Sequence, residues 1–499
     1  MTLTKPKRLS AFLLALLMLM LPLAGCGESS ANADPEETEP TQGVGTEPAD
    51  DAPETEEKLV CSVPGDLKMS GESVRFLHFR DVQTFTVDVE ELSGELLNDA
   101  VFNSNQKVME DLDCVFRHIE NDGIEADKVT NAYRAGDDIY EIVYGTQWKV
   151  APLTLQHMLA NLNGREGYYF DYEKPWWYRN YIGEAMADSG HTYFLAGDAS
   201  PDVFRRSSMM ILNTDLLTDI GRDVSDIYEL VLNGDWTFDR LSEIVGGVYV
   251  DVGGNGERDE RDTYGYATSA TITVDHFMID CGVRGCSRDE EGVPYLDFNT
   301  PDTIRFVELL YDLLWNNNGS FGYQIFEPVD MLEGSRVLFL NENFSRLDLY
   351  RNVETNFTIL PLPKLDDTVE SYGSLTHDDA NILCIPAISG HIASSSAVLE
   401  KMGYCYYYEV MPDYYDVILK TKYRRDSSDA ASQIIDLIHD SMTTDFGYFY
   451  NYSLGNMMLS LRSMILIDKS KDFVSTYKRS EKIYERMLSN LLEAVREDN

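Results

Sequence analysis

The chain has 499 residues, with 85 acidic against 41 basic side chains and a formal net charge of −44. That length accommodates two or three domains, and 43% hydrophobic with 11% aromatic residues marks a globular body rather than a disordered one. So acidic a surface repels phosphates and anionic headgroups, which excludes a nucleic-acid partner and a basic membrane patch. In chain order, residues 74–79 read as a first strand, bounded by Gly71 and by Arg80-Asp81. Leu97, Val101, Val108 and Leu112 keep one helical face over 96–112. Short strands follow at 114–116 and at 139–144, the latter after Gly136-Asp137-Asp138, and Tyr193, Phe194 and Leu195 form another. Thr300 as N-cap and Pro301 at the first helical position open a helix through Trp315, stopped by the run from Asn316 to Gly319. Apolar strands follow at 337–340, 356–360 and 381–385, and a helix runs from about 472 to 497. Strands separated by helices imply βαβ units and mostly parallel sheets. Roughly 440 residues are too many for one sheet, so two α/β lobes are expected.

The N-terminus reads as a processing signal. Lys5, Lys7 and Arg8 precede an apolar run from Ala11 to Leu23, too short for a comfortable span, which takes about 20 residues. The run ends in Leu23-Ala24-Gly25-Cys26, which resembles a bacterial lipobox. The resemblance implies cleavage after residue 25, lipidation of Cys26, and a protein tethered to the membrane through that anchor alone. Residues 27–58 hold 11 acidic residues, one lysine and almost no large apolar side chain. Such a segment cannot offset its ordering entropy, and as a coil it spans about 30 Å.

Several short motifs then occur in a fixed order. They are Asn103 to Glu110, Gly136-Asp137-Asp138-Ile139-Tyr140, Lys174-Pro175-Trp176-Trp177, Leu195-Ala196-Gly197-Asp198, Asn233 to Phe238, the loop from Asp251 to Gly265, Leu360 to Lys364, and Arg424-Arg425-Asp426 with Asp445-Phe446-Gly447. Together they resemble the extracellular solute-binding proteins of family 1, lipoprotein receptors of bacterial ABC importers for carbohydrates, over about residues 72–450. The resemblance implies a monomeric, two-lobed periplasmic-binding-protein-like fold, with several hinge crossings and a ligand clamped between lobes. Carried over, lobe 1 is 72–200 with 374–425, and lobe 2 is 201–373 with 426–499. Crossings fall near 197–204, 372–377 and 422–429. It implies an extracytoplasmic receptor that passes a carbohydrate, an oligosaccharide, to permease subunits.

Sugars expose apolar C–H faces ringed by hydroxyls, so aromatic rings flanked by planar polar groups suit them. Ligands of open α/β sheets sit at the carboxyl ends of strands. Asp81 follows the first predicted strand, Gln147 and Trp148 follow the third, and Asp198 follows Leu195 at the first crossing. Trp177, Phe344, Tyr372 and His377 complete the candidate binding set, each weighed against core or hinge packing. Of the adjacent Trp176 and Trp177, one is expected in the core, and Trp236 is expected to be structural.

The loop from Asp251 to Asp262 has the spacing of a 12-residue calcium loop. Asp251, Asn255, Glu257, Asp259 and Asp262 would be ligands of a structural ion outside the cleft, and Gly253 leaves position 3 empty. The competing reading is a polar loop held by its own turns. Seven cysteines include Cys26, and the spacing of Cys281 and Cys286 admits a bridge, while Cys114 and Cys384 fall in strand patterns. No nucleophile elbow, phosphate loop, zinc signature or C-x-x-C is present, no cofactor is called for, and the chain is read as a non-enzyme. The alternatives are a carbohydrate-degrading lipoprotein, whose two carboxylates can come from anywhere in a chain, and a receptor for another solute such as a peptide.

Overall fold

The computed structural model describes residues 58–79, 85–121, 125–163, 165–415 and 428–496. Contacts divide the chain after Leu59, and the architecture below lies in the second unit, Val60–Asn499. Cys26, the acidic segment before Lys58, Asp81 and most of the third expected crossing lie outside the described residues.

The first sheet begins with β1 (Glu72–Phe79), β2 (Cys114–Asn121) and β3 (Ile142–Thr146), all parallel, with β1 in the middle. Between β1 and β2 the helix Leu96–Leu112 has the bounds its spacing predicts and buries Val101, Val108 and Leu112. Asp113, left-handed at φ 50°, turns the chain from that helix into β2. The strand expected at 139–144 starts later. Ile139 is exposed, and the Glu141 carboxylate accepts the backbone N–H of Arg75 at 2.6 Å and pairs with its guanidinium. Tyr193 to Leu195 do not form a strand; Leu195 makes one bridge, to Leu383.

The chain then crosses through a short helix, Asp202–Arg205, into a second sheet. Its strands are β4 (Ser208–Asn213), β5 (Tyr249–Val250) and β6 (Thr263–Thr268), then, after the hairpin of β7 (Cys286–Arg288) and β8 (Pro294–Leu296), β9 (Ser320–Tyr323), β10 (Val337–Asn343) and β11 (Phe357–Leu360). The order is β11-β4-β10-β6-β5, with β9 on β6. This sheet is mixed. β6 runs parallel to β10 and β9, while β4 opposes β10 and β11. Thr300 caps the helix Pro301–Tyr311 through the N–H of Thr303, and a wider π turn, Asp312–Asn316, replaces its expected last turn.

From β11 the chain returns through β12 (Ser374–Leu375) to β13 (Asn381–Cys384), which closes the first sheet antiparallel to β3. The helix Ile392–Glu409 packs on Leu96–Leu112 beneath that sheet. The helix Asp429–Asp440 packs against β11 and leads into β14 (Met442–Thr443), which lies parallel beside β12. The expected terminal helix is broken at Arg479-Ser480 into Phe473–Lys478 and Glu481–Arg496. Its last turn reaches the residues before the first crossing, where the Tyr193 hydroxyl donates to the Val495 carbonyl at 2.9 Å. Cys281 and Cys286 do not bridge; both are buried thiols, as are Cys114 and Cys384.

The first crossing turns at Gly197 because nothing larger fits. A Cβ there would lie 2.2 Å from the Trp176 carbonyl oxygen, which also accepts the Asp198 N–H at 3.0 Å. Gly197→Ala should therefore cost at least about 1–3 kcal/mol in denaturant melts; wild-type stability would mean that the Trp176 backbone yields freely.

Candidate functional site

The carboxyl ends of the two sheets meet around the crossing segments. On the first sheet β3 runs straight into the one-turn helix Gln147–Val150. That turn needs Gly145, whose Cβ would stand 2.3 Å from a Val150 methyl. Glu125, fully buried, anchors it by accepting from the Thr146 N–H at 2.7 Å and hydroxyl at 2.6 Å, and by pairing with Lys149 at 3.2 Å. The Lys149 ammonium sits 3.6 Å over the Phe79 ring at the end of β1. Held this way, the turn donates its Gln147 and Trp148 N–H groups to the carbonyls of Ala380 and Asp378 on the return crossing.

The expected binding residues divide sharply. Trp148 stays partly exposed, its ring 5.1 Å from that of Tyr452. His377 lies at the crossing, its Nδ1 2.6 Å from the Asp379 carboxylate and 3.2 Å from that of Asp378. Burial opposes its charge, but the two carboxylates outweigh that and hold its pKa above the ordinary imidazole value. The other five described residues are turned inward. Gln147 points into the core, where its Oε1 accepts from the Tyr181 hydroxyl. Trp177 is 3% exposed, and its indole N–H donates to Glu400 at 2.8 Å beside that of Trp176 at 3.2 Å, so it is not a ligand platform. Phe344, 2% exposed, packs its ring 4.7 Å from Phe204 and offers no face to a ligand. The Tyr372 hydroxyl donates to the Val231 carbonyl and accepts from the Trp236 N–H, which makes it hinge packing. Trp236 is structural, fully buried with its indole N–H on the Pro361 carbonyl.

Asp198 is also buried. It accepts from the Tyr178 hydroxyl at 2.6 Å, and desolvation pushes its pKa up to about 7. The native state thus holds a proton that the unfolded chain releases near pH 4, so stability falls as pH rises from about 4 to 7. Asp445, fully buried and pushed up to about 6 by desolvation, acts in the same direction. Asp198→Asn should shrink the loss of melting temperature between pH 5 and pH 8; an unchanged difference would show that Asp198 is ionised throughout.

Sequence reasoning missed a polar cavity at the crossings. It encloses about 270 Å³ between the ends of β6 and β10, the helix Thr273–Asp280 and the crossings. His276 and Asn341 line it, with Glu342 from the second sheet, Arg346 from the turn after β10, and Arg206, His377 and Asp379 from the crossings. His276 Nδ1 is 2.8 Å from the Asn341 side-chain oxygen. A carbonyl oxygen only accepts, so Nδ1 carries the proton and Nε2 keeps its lone pair. Desolvation lowers the His276 pKa to about 3, so the ring is neutral. His276 Nε2 and the Asn341 amide nitrogen have no hydrogen-bond partner among the described residues. Both charged pairs in the wall are closed: Arg206 on Asp379 at 3.1 Å and Arg346 on Glu342 at 2.7 Å. The available signal was the polar triplet Asn341-Glu342-Asn343 ending an otherwise apolar strand.

The loop from Asp251 to Asp262 is held by its own turns. Asp251 accepts from the Asn255 and Gly256 N–H groups, and Asn255 accepts from that of Glu257. Asp259 holds Arg261, and Asp262 is buried under Tyr249 and the Val252 N–H. Among the described residues no three carboxylate, histidine or cysteine side chains converge on a metal position.

No family model and no curated protein sequence matches the chain. Solved structures do. The sugar-binding protein MalE from Xanthomonas citri matches with a TM-score of 0.55 at 12% identity, over 84% of this chain and 97% of that one. A cyclo/maltodextrin-binding protein complexed with maltotetraose matches at 0.52 and 10%, over 86% and 98%. UgpB from Mycobacterium tuberculosis, in complex with glycerophosphocholine, matches at 0.51 and 14%, over 84% and 99%. At such identities the likeness establishes the fold, which is the two-lobed periplasmic-binding-protein-like one.

Proposed function

We propose that this chain is an extracytoplasmic receptor that captures a neutral carbohydrate between its two lobes and hands it to an ABC importer, tethered through Cys26. The observation that carries the reading is the cavity holding His276 Nε2 and the Asn341 amide nitrogen, one acceptor and one donor, both buried and without a partner among the described residues. An acceptor beside a donor matches neighbouring hydroxyls, each of which donates and accepts. A buried polar group without a partner costs about 1–3 kcal/mol, and a hydroxyl that satisfies it recovers that cost on binding. Trp148, at the end of the first sheet, supplies the apolar face that pyranose C–H groups need.

Capture works through the crossings. A solute that touches the first sheet's Trp148 and the second sheet's Asn341 binds the closed arrangement better than the open one, and shifts the equilibrium by that difference. The likeness to a sugar-binding protein and to one solved with maltotetraose supports a carbohydrate ligand. The carboxylates in the wall, Glu342 and Asp379, are each paired with an arginine, which suits binding better than the proton transfer of a glycosidase.

A thermal-shift screen over mono- and oligosaccharides, with assay of released reducing ends, tests this reading. A sugar that raises the melting temperature without being cleaved supports it; cleavage would make the chain a hydrolase, and no shift with any sugar would remove the carbohydrate. With a sugar that binds, Trp148→Ala should weaken affinity about a hundredfold, equivalent to about 2.7 kcal/mol, and lower the stability of the free protein by only about 1 kcal/mol. Intact affinity with a loss of about 3–5 kcal/mol in stability would return Trp148 to the core. For the tether, Cys26→Ala should abolish fatty-acid labelling and free the protein from membranes, and labelling that persists in the variant would overturn the anchor.

A further inference from the structure

The C-terminal segment packs on the two halves of the molecule in alternation. It begins on the half built around the first sheet. There the Tyr450 hydroxyl donates to the Ala185 carbonyl at 3.2 Å, and the Tyr452 ring leans on Trp148 at 5.1 Å. It then moves to the half built around the second sheet. Arg462 holds the buried Asp275 carboxylate of the helix Thr273–Asp280 with contacts of 2.9 and 2.8 Å. The Ile465 carbonyl accepts the Trp315 indole N–H at 3.0 Å, and Phe473 packs edge-on against Phe298 at 5.2 Å. The break at Arg479-Ser480 is where the chain leaves that half again. Beyond it Glu481–Arg496 packs on the short turn Ala151–Gln156, which follows directly from Gln147–Val150 at the end of β3. Its last turn is tied to the same half by the Val495 carbonyl on Tyr193 and by Arg496, 3.3 Å from Asp188. The helix also touches β8, and the β7–β8 hairpin is itself clasped to the first half. Arg288 donates to the Gly183 and Met186 carbonyls, at 2.8 Å each, where the helix Arg179–Ala185 ends.

We propose that this segment is a strap that limits how far the two halves rotate apart about the crossings. The proposal rests on the fold alone and holds whatever the solute. Two bodies joined only at a hinge turn about it at little cost, because a few crossing residues absorb the change. A segment that passes between them again, outside the β12–β14 pair, removes that freedom unless one of its seats opens. Each seat resists opening for its own reason. On the second half it is an ion pair whose carboxylate, Asp275, is fully buried, so parting it from Arg462 would strand a charge away from water. On the first half it is the apolar side of a helix, where Tyr484, Leu488, Leu491 and Val495 are buried. The passage between the seats has no slack. Only Arg479 and Ser480 separate the two helices, and two residues span at most about 7 Å. The Tyr477 and Tyr484 rings close over that passage at 5.6 Å. The strap also reaches the cleft, because Tyr452 rests on Trp148 and Arg462 holds the residue before His276. The segment that restrains the halves thus touches a residue on each side of the proposed site.

Pulsed electron resonance on the full mature chain, with no solute added, tests this. Spin labels on ketone side chains introduced at Asn131 and Glu229 leave the native cysteines unlabelled; both positions are exposed, on helices of the first and second half respectively. The unaltered strap should give one narrow distribution of distances. Inserting about eight Gly and Ser residues between Arg479 and Ser480 lengthens the passage while leaving both seats in place, and should broaden the distribution at least about twofold, towards longer distances. Leu491→Asp, which puts a charge on the buried side of Glu481–Arg496, should do the same. Circular dichroism and melting identify a variant that fails to fold, and the other variant then decides. Folded variants that keep the original distribution would make the segment mere packing and overturn the strap. A distribution as broad in the unaltered chain as in the variants would overturn it equally, because nothing is then restrained.

Discussion

Four residues, from His377 to Ala380, hold this molecule's working parts in register. The carbonyls of Asp378 and Ala380 accept the Trp148 and Gln147 N–H groups and so fix the turn at the end of β3. The His377 N–H donates to the Arg206 carbonyl on the other crossing, and the Asp379 carboxylate holds the Arg206 guanidinium. His377 and Asp379 then face the cavity against the ends of β6 and β10. Strand ends leave backbone groups without ladder partners, and buried ones must find others. Here the return crossing supplies them, so the aromatic residue of the first sheet and the polar residues of the second are positioned by one short segment.

That arrangement also explains why the charges near the cavity do not bind on their own account. Arg206 is 4% exposed at its side chain, and an unpaired charge at that depth would cost several kcal/mol. Asp379 meets it, and Asp379 in turn raises the pKa of His377, while burial, which would raise the Asp379 pKa, is outweighed by His377 and Arg206, which hold it below the ordinary value. Beside these ion pairs, His276 Nε2 and the Asn341 amide nitrogen are buried with no hydrogen-bond partner among the described residues.

Much of the fold was legible because it is local. The helix Leu96–Leu112 is a 17-residue amphipathic segment with its apolar residues on one face, and β10 is an apolar run, Val337 to Leu340, ended by the polar Asn341, Glu342 and Asn343. Of the site, the sequence located strand ends but not the direction of side chains. Trp177 resembles a sugar platform until Glu400, 223 residues away, takes its indole N–H. Gln147 and Trp148 are adjacent, yet the one-turn helix after Gly145 sends one to Tyr181 and the other to Tyr452. His276 and Asn341 are 65 residues apart and carry no motif, so only the pairing of β6 with β10 and the packing of the intervening helix bring them together. The cysteine spacing at 281 and 286 suggested a bridge, but both are free buried thiols, and the Cys281 thiol donates to the Pro363 carbonyl.

The charge of the whole chain now takes on a meaning that composition alone did not give. A net −44 repels an anionic solute before contact, and the two guanidiniums in the inner wall are already neutralised by Asp379 and Glu342. An anion entering there would have to break one of those pairs and leave a carboxylate buried without its partner, at a cost of about 3–5 kcal/mol. A neutral polyhydroxylated solute meets neither barrier. It feels no long-range field, and it needs only the donor and the acceptor that His276 and Asn341 leave open, beside the ring of Trp148. On the proposed reading, the acidic surface and the paired guanidiniums both disfavour an anion, one at a distance and the other at contact, and the acceptor and donor at His276 and Asn341 suit hydroxyl groups.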